Sequence, residues 1–160
     1  MDRKSSNAKA NCGQVRKTNL PKQLTKNDPP ITLAKVTADI GSLRNPCVLF
    51  NYSQFISFRL NGPNPIISLT YRLTRTSPVS EEPIILEEWI FKGKEVIPTP
   101  APPLNTIEPL VTNFCDCNVP RSNDLLTYTF QLVEVTTNNA IYDISNQEVS
   151  AIMICGSEHK

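Results

Sequence analysis

The sequence predicts an all-β fold: a two-layer antiparallel, jelly-roll-like sandwich of about eight strands with an extended N-terminal arm. Three observations predict it. Several segments alternate apolar and polar residues with a period of two, and none carries a helical stripe. The segments are short and are separated by turns rich in Pro, Asn and Gly. Fourteen prolines stand against five glycines in 160 residues, which argues against a helical bundle and for many ordered turns and edges.

The elements follow in order. Residues 1–30 are polar, without stripe or alternation, and end in Asp28-Pro29-Pro30. They form the expected arm, and residues 31–160 form the domain. Ile31 to Asp39 is the first strand, followed by a turn at Asn45-Pro46. Cys47 to Leu60 is a long strand-rich run in which Phe50, Tyr52, Phe55 and Phe58 do not share one period, so a bend is expected near Ser53-Gln54. Asn61-Gly62-Pro63-Asn64-Pro65 is a turn. Ile66 to Thr74 has the cleanest alternation, with Ile67, Leu69, Tyr71 and Leu73 on one face.

Thr76 to Pro83 is expected to be a loop, Ile84 to Phe91 a strand, and Lys92-Gly93-Lys94 a turn. Pro98, Pro100, Pro102 and Pro103 forbid a central strand and predict an extended surface crossover. Ile107 to Cys117 is the next strand. Leu125 to Thr136 follows, with Leu126, Tyr128, Phe130 and Leu132 on one side. Asn138-Asn139 is a hairpin turn. Ile141 to Ile144 and Glu148 to Cys155 finish the domain, and Ile152 and Ile154 are expected in the core. Eight strands with one long crossover suit a jelly roll better than an immunoglobulin domain, because Trp89 sits in a charged context with no tyrosine corner.

Net charge is +1 but unevenly divided. Residues 1–26 hold seven Lys or Arg against one acid; the remainder holds nine against fourteen. A positive arm and a negative body attract each other within or between molecules. As an isolated monomer the arm reads as a disordered tail; the sharper reading is an arm that orders on a neighbouring subunit. Nucleic acid is not the expected partner, because the arm has no aromatic residue to stack a base.

The five cysteines are the remaining chemistry. In extended backbone Cys115 and Cys117 point to the same face, a geometry poorly suited to bonding each other. Each looks for a partner elsewhere. Cys12, Cys115 and Cys117 are the candidates for bonds between molecules, and Cys47 and Cys155 for bonds inside the domain: one of Cys115 and Cys117 is expected to meet Cys12 of another copy, and the other to pair with Cys47 or Cys155. Cys12 precedes the first strand by about 18 residues, so an extended arm reaches on the order of 60 Å. A metal site at Cys115 and Cys117 needs two further ligands from distant residues, so no metal and no cofactor are expected.

Enzymatic chemistry is not expected. The single histidine, His159, lies in the C-terminal tail. No P-loop, dinucleotide fingerprint or GxSxG motif is present. Glu81-Glu82 and Glu87-Glu88 are adjacent pairs whose members face opposite ways in a strand, so they do not converge as an acid and base. No stretch approaches a membrane span, and no secretory leader is expected at the basic N-terminus.

Asn45-Pro46-Cys47-Val48-Leu49-Phe50-Asn51-Tyr52-Ser53 opens an apolar strand in a way that resembles a family of uncharacterised domains from spore-forming Firmicutes, relatives of Clostridium and Bacillus. The likeness continues through Leu69-Thr70-Tyr71-Arg72-Leu73, the Trp89 strand, Phe114-Cys115-Asp116-Cys117 and Tyr128-Thr129-Phe130, and covers residues 45–155. The resemblance implies a small β protein of the spore surface. The architecture is also similar to endospore appendage subunits, β-sandwiches joined by N-terminal arms and intermolecular disulfides, although this arm carries one cysteine and not a clustered pair. The expected function is therefore a self-assembling structural subunit of a spore- or cell-surface fibre or layer, located there after cytoplasmic synthesis without a signal peptide, whose partner is itself. The alternative is a binding module: a lectin-like sandwich of unknown ligand, or a capsid-like jelly roll whose basic arm holds nucleic acid.

Overall fold

The computed structural model describes residues 8–94, 102–119 and 124–155, without the side chains of Glu81 and Lys94. Ten strands form two antiparallel sheets: β1 (Ala8–Cys12), β2 (Gln14–Val15), β3 (Gln23–Leu24), β4 (Ile31–Asp39), β5 (Pro46–Leu60), β6 (Ile66–Ser77), β7 (Ser80–Lys94), β8 (Leu104–Asp116), β9 (Leu125–Asn138) and β10 (Ala140–Cys155). One sheet runs β1-β10-β5-β8. The other runs β2-β4-β9-β6-β7, with β3 also paired to β9. Taking β1 and β4 to β10 alone, each sheet holds four strands in the interleaved order of two Greek keys, which is a jelly roll.

The expected arm is built into this sandwich from residue 8 onward. β1 pairs with β10 from Ala8↔Ile154 to Cys12↔Ser150, and β2 pairs with β4. The proposed boundary at residue 31 therefore does not coincide with the start of the sheets. The polar sequence hid these strands because edge pairing is made by backbone groups, which need no apolar alternation. The chain leaves one sheet for the other at Gly13, whose N–H donates to the carbonyl of Val149 at 2.9 Å. A Cβ there would collide with the carbonyl oxygen of Lys35 and lie 2.7 Å from Val149 Cγ1, so only glycine fits the crossing.

Five further expectations are corrected. β5 shows no bend: Phe50, Tyr52, Gln54, Ile56 and Phe58 all face the core and Phe55 faces out. A polar residue on the inner face had masked a regular alternation. The loop over Thr76 to Pro83 is a tight hairpin between β6 and β7, and β7 continues through Lys92-Gly93-Lys94. The last two segments are one strand, β10, whose register shifts between Ser145 and Glu148. That shift sets the phase so that Val149, Ala151 and Met153 are buried, whereas Ile152 is half-buried and Ile154 is 39% exposed on the outer face. The turns at residues 61–65 and 138–139 fall where expected, with Gly62, Asn64 and Asn139 in the left-handed region. The middle of the proline crossover, residues 95–101, and His159 lie outside the described residues.

The core sits between the sheets around Phe130, whose ring packs on Tyr52 at 4.2 Å, Tyr71 at 5.4 Å, Trp89 at 5.7 Å and Phe50 at 6.1 Å. Leu69, Tyr71, Leu73 and Leu132 are fully buried beside it.

Overpacking the Gly13 crossing tests the docking of residues 8–15. Gly13→Ala is expected to cost about 1–3 kcal/mol in denaturant unfolding. A midpoint equal to wild type would mean that β1 and β2 do not pack as described.

Candidate functional site

The pairing of β5 with β8 brings three of the five cysteines to one end of the four-stranded sheet. Leu49 faces Cys115 and Val48 faces Asp116 across the ladder. Alternation then decides where each side chain goes. Cys115 stands on the outer face, Asp116 turns into the core, and Cys117 follows just beyond the strand.

Cys117 is joined to Cys47 by a disulfide that spans 70 residues of sequence. Closing a loop of that length removes roughly 4 kcal/mol of unfolded-chain entropy in the chain-entropy account. Cys115, Cys12 and Cys155 are free thiols, the first two exposed and the third half-buried. The Sγ of Cys115 lies 3.6 Å from the Sγ of Cys117, in contact but unbonded. Of the two neighbouring cysteines, Cys117 is therefore the one that bonds within the chain, its partner is Cys47, and Cys155 stays a free thiol. Cys12 ends β1 opposite Ser150. Because β1 and β8 are the two outer strands of this sheet, Cys12 and Cys115 stand about three strand spacings, roughly 14 Å, apart. They cannot bond within one molecule.

Asp116 holds the cluster in place from inside. It is 3% exposed and ion-paired with Arg75 of β6, itself 7% exposed, across the sandwich. Tyr128 donates its hydroxyl to Asp116 Oδ2 at 2.9 Å. The N–H of Asn118 donates to Asp116 Oδ1 at 3.3 Å, and Arg75 donates to the carbonyl oxygen of Asn118 at 3.3 Å. Every oxygen of this carboxylate is satisfied, which burial of a charge requires. Sequence reasoning placed Asp116 on the strand but missed its partner. The available signal was Arg75, a charged residue directly after the alternating run of β6.

A second buried polar chain lies further along β5. Tyr52 donates to Gln54 Oε1 at 2.6 Å, and Gln54 Nε2 donates to the Tyr71 hydroxyl at 2.8 Å. Gln147, in the irregular part of β10, donates to the Tyr52 hydroxyl at 2.8 Å. Burial pushes the phenols of Tyr52, Tyr71, Tyr128 and Tyr142 well above their ordinary range, and the Asp116 carboxylate adds to the effect at Tyr128. The glutamates Glu82, Glu87 and Glu88 are exposed, and Glu88 pairs with Arg72 at 2.8 Å. Among the described residues no helix is long and apolar enough to cross a membrane.

A family model whose description is a domain of unknown function matches residues 7–154. A chain in a solved structure of infectious bursal disease virus, Gx strain, superposes with a TM-score of 0.44 at 9% identity, over 97% of this chain and 34% of that one. The chain therefore spans about a third of the length of that viral chain. No curated protein matches the sequence.

Two measurements probe the site. Arg75→Met leaves the Asp116 carboxylate buried without its cation and is expected to cost about 3–5 kcal/mol. An effect near zero in chemical denaturation would show that Asp116 is hydrated. Because folding raises the tyrosine pKa values, their contribution to stability is complete below about pH 10, the ordinary phenol value, and is lost as pH rises above it. Phenolate absorbance should therefore appear together with loss of the strand signal in circular dichroism. Reversible ionisation of all four tyrosines near pH 10 in the folded protein would contradict their burial.

Proposed function

The chain belongs to the DUF4489 family, a domain of unknown function, and from that premise we propose that it is a structural, non-catalytic subunit that assembles with copies of itself into a fibre or layer. One observation carries the reading. The outer strands of the four-stranded sheet, β1 and β8, run in opposite directions and carry exposed thiols on one face, Cys12 on β1 and Cys115 on β8. A second copy placed beside the first, with its β1 along β8, continues the antiparallel sheet. Its Cys12 then falls one pair of residues from the row of Cys115. Such a contact is heterologous, so it propagates instead of closing a dimer.

The outer face next to β8 favours association. Phe55 lies between Val111 and Ile107, which are 70% and 69% exposed, and Pro109 stands opposite it in the ladder. Contiguous exposed apolar residues of this kind mark interaction surfaces. The proposed location is the spore or cell surface, reached after cytoplasmic synthesis. The Cys47–Cys117 disulfide supports an oxidising setting for the mature protein. The spore assignment and the kinship with appendage fibres rest on the sequence resemblance.

Negative-stain microscopy and non-reducing electrophoresis test the reading together. Oxidised wild type is expected to form filaments or sheets and a ladder of multimers that collapses with reductant. Cys12→Ser should remove the ladder, and Val111→Lys should reduce assembly while leaving the melting temperature within a degree or two, since the side chain is exposed. Wild type that stays monomeric at all concentrations, or a ladder unchanged in Cys12→Ser, overturns the proposal.

A further inference from the structure

We infer that Cys47, Cys115 and Cys117 form a thiol–disulfide exchange site whose substrate is the chain's own disulfide and whose released group is the thiol of Cys47. This goes beyond assembly and holds for a single chain in isolation. Three observations carry it. A free thiol, Cys115, is exposed to solvent. Its sulfur lies 3.6 Å from Cys117 Sγ, close to the about 3–3.5 Å separation of a near-attack arrangement. The two side chains are held on one face because Asp116 between them is anchored inward by Arg75 and Tyr128. The approach is thus fixed by the fold and does not depend on a chance encounter.

The step conserves oxidation level. The Cys115 thiolate donates a lone pair to Cys117 Sγ, and the Cys115–Cys117 bond forms as the Cys117–Cys47 bond breaks. The electron pair leaves with Cys47 as a thiolate, which takes a proton from solvent to replace the one Cys115 gave up. One disulfide is consumed and one is made, so no external oxidant or reductant enters. Cys117 lies just beyond the end of β8, where its backbone is released from the ladder and is able to adjust to a bond with Cys115. The original pair ties β8 to β5 across the sheet, whereas the exchanged pair ties β8 only to the residue after it. Exchange therefore loosens the attachment of the β8 edge and exposes a thiol at the start of β5, beside Ile154 on β10.

Slow alkylation of the oxidised protein tests the site. Dilute wild type is incubated with a low concentration of N-ethylmaleimide, quenched in acid and digested without reduction. Cys115 and Cys117 share one tryptic peptide and Cys47 lies in another, so mass spectrometry separates the two isomers. The expected product is a peptide with alkylated Cys47 together with a Cys115–Cys117 peptide carrying an internal disulfide. Its yield should rise with pH, because the attacking species is the thiolate, and should not change on dilution of the protein. In Cys115→Ser it should fall by about tenfold or more, since the attacking thiol is absent. Cys115→Ala guards against a fold defect in the serine variant, and both are checked by their unfolding midpoints. As a test of the product itself, Cys47→Ser treated with a mild oxidant should close the Cys115–Cys117 bond within one chain. The inference is overturned if Cys47 stays unmodified in wild type, if it is modified equally without Cys115, or if the yield falls on dilution, which would place the exchange between chains. Failure here leaves the assembly reading intact, because the Cys12 ladder is scored separately.

Discussion

The buried pairing of Arg75 with Asp116, with the Tyr128 hydroxyl on the same carboxylate, is the contact on which the sulfur-bearing end of the molecule depends. It crosses from one sheet to the other, so it fixes how the end of β8 lies over β6 and β9. Taking two charges out of water is costly, and Tyr128 and Asn118 offset part of that cost with further hydrogen bonds to the pair. Its consequence for chemistry is indirect. With Asp116 pinned inward, strand geometry turns Cys115 out, and Cys117 is left within reach of Cys47. The polar core contact and the exposed thiol are two outcomes of one alternation.

The same sheet supplies both features on which the proposed assembly rests. Its edges are β1 and β8, and neither is covered by another strand among the described residues. Natural sheets commonly blunt such edges, and here Pro109 and Glu108 on β8 do part of that work. Exposed Ile107 and Val111 act in the opposite direction. A sheet that resists indiscriminate pairing but accepts one partner in one register needs this combination, and a covalent bond between Cys12 and Cys115 would make that register permanent. The exchange site adds a means of redistributing the bond at the β8 edge without outside redox chemistry.

How much of this was legible in the sequence differs from residue to residue. The inner face of β6, Ile67 to Leu73, is read directly because nothing interrupts its period of two. The inner face of β9 is equally plain as far as Leu132; a register shift against β6 at Val133 then turns Val135 into the core, against the simple alternation. Gln54 obscured β5 because its burial depends on two tyrosine hydroxyls from different strands. β1 and β2 were invisible because their stabilisation is backbone pairing to strands far away in sequence.

The sequence by itself determined the class of fold, most turns, the larger part of the core and the placing of Cys115 and Cys117 side by side, because these follow from local alternation and from Pro, Asn and Gly chemistry. Only the tertiary structure decided that residues from Ala8 onward are strands, that Cys117 meets Cys47, that Arg75 meets Asp116, and that Cys12 and Cys115 stand at opposite edges of one sheet. Each of those is a contact between residues separated by tens of positions, and it depends on strand order and register. No local pattern encodes order or register; they emerge when all the strands bury their faces together.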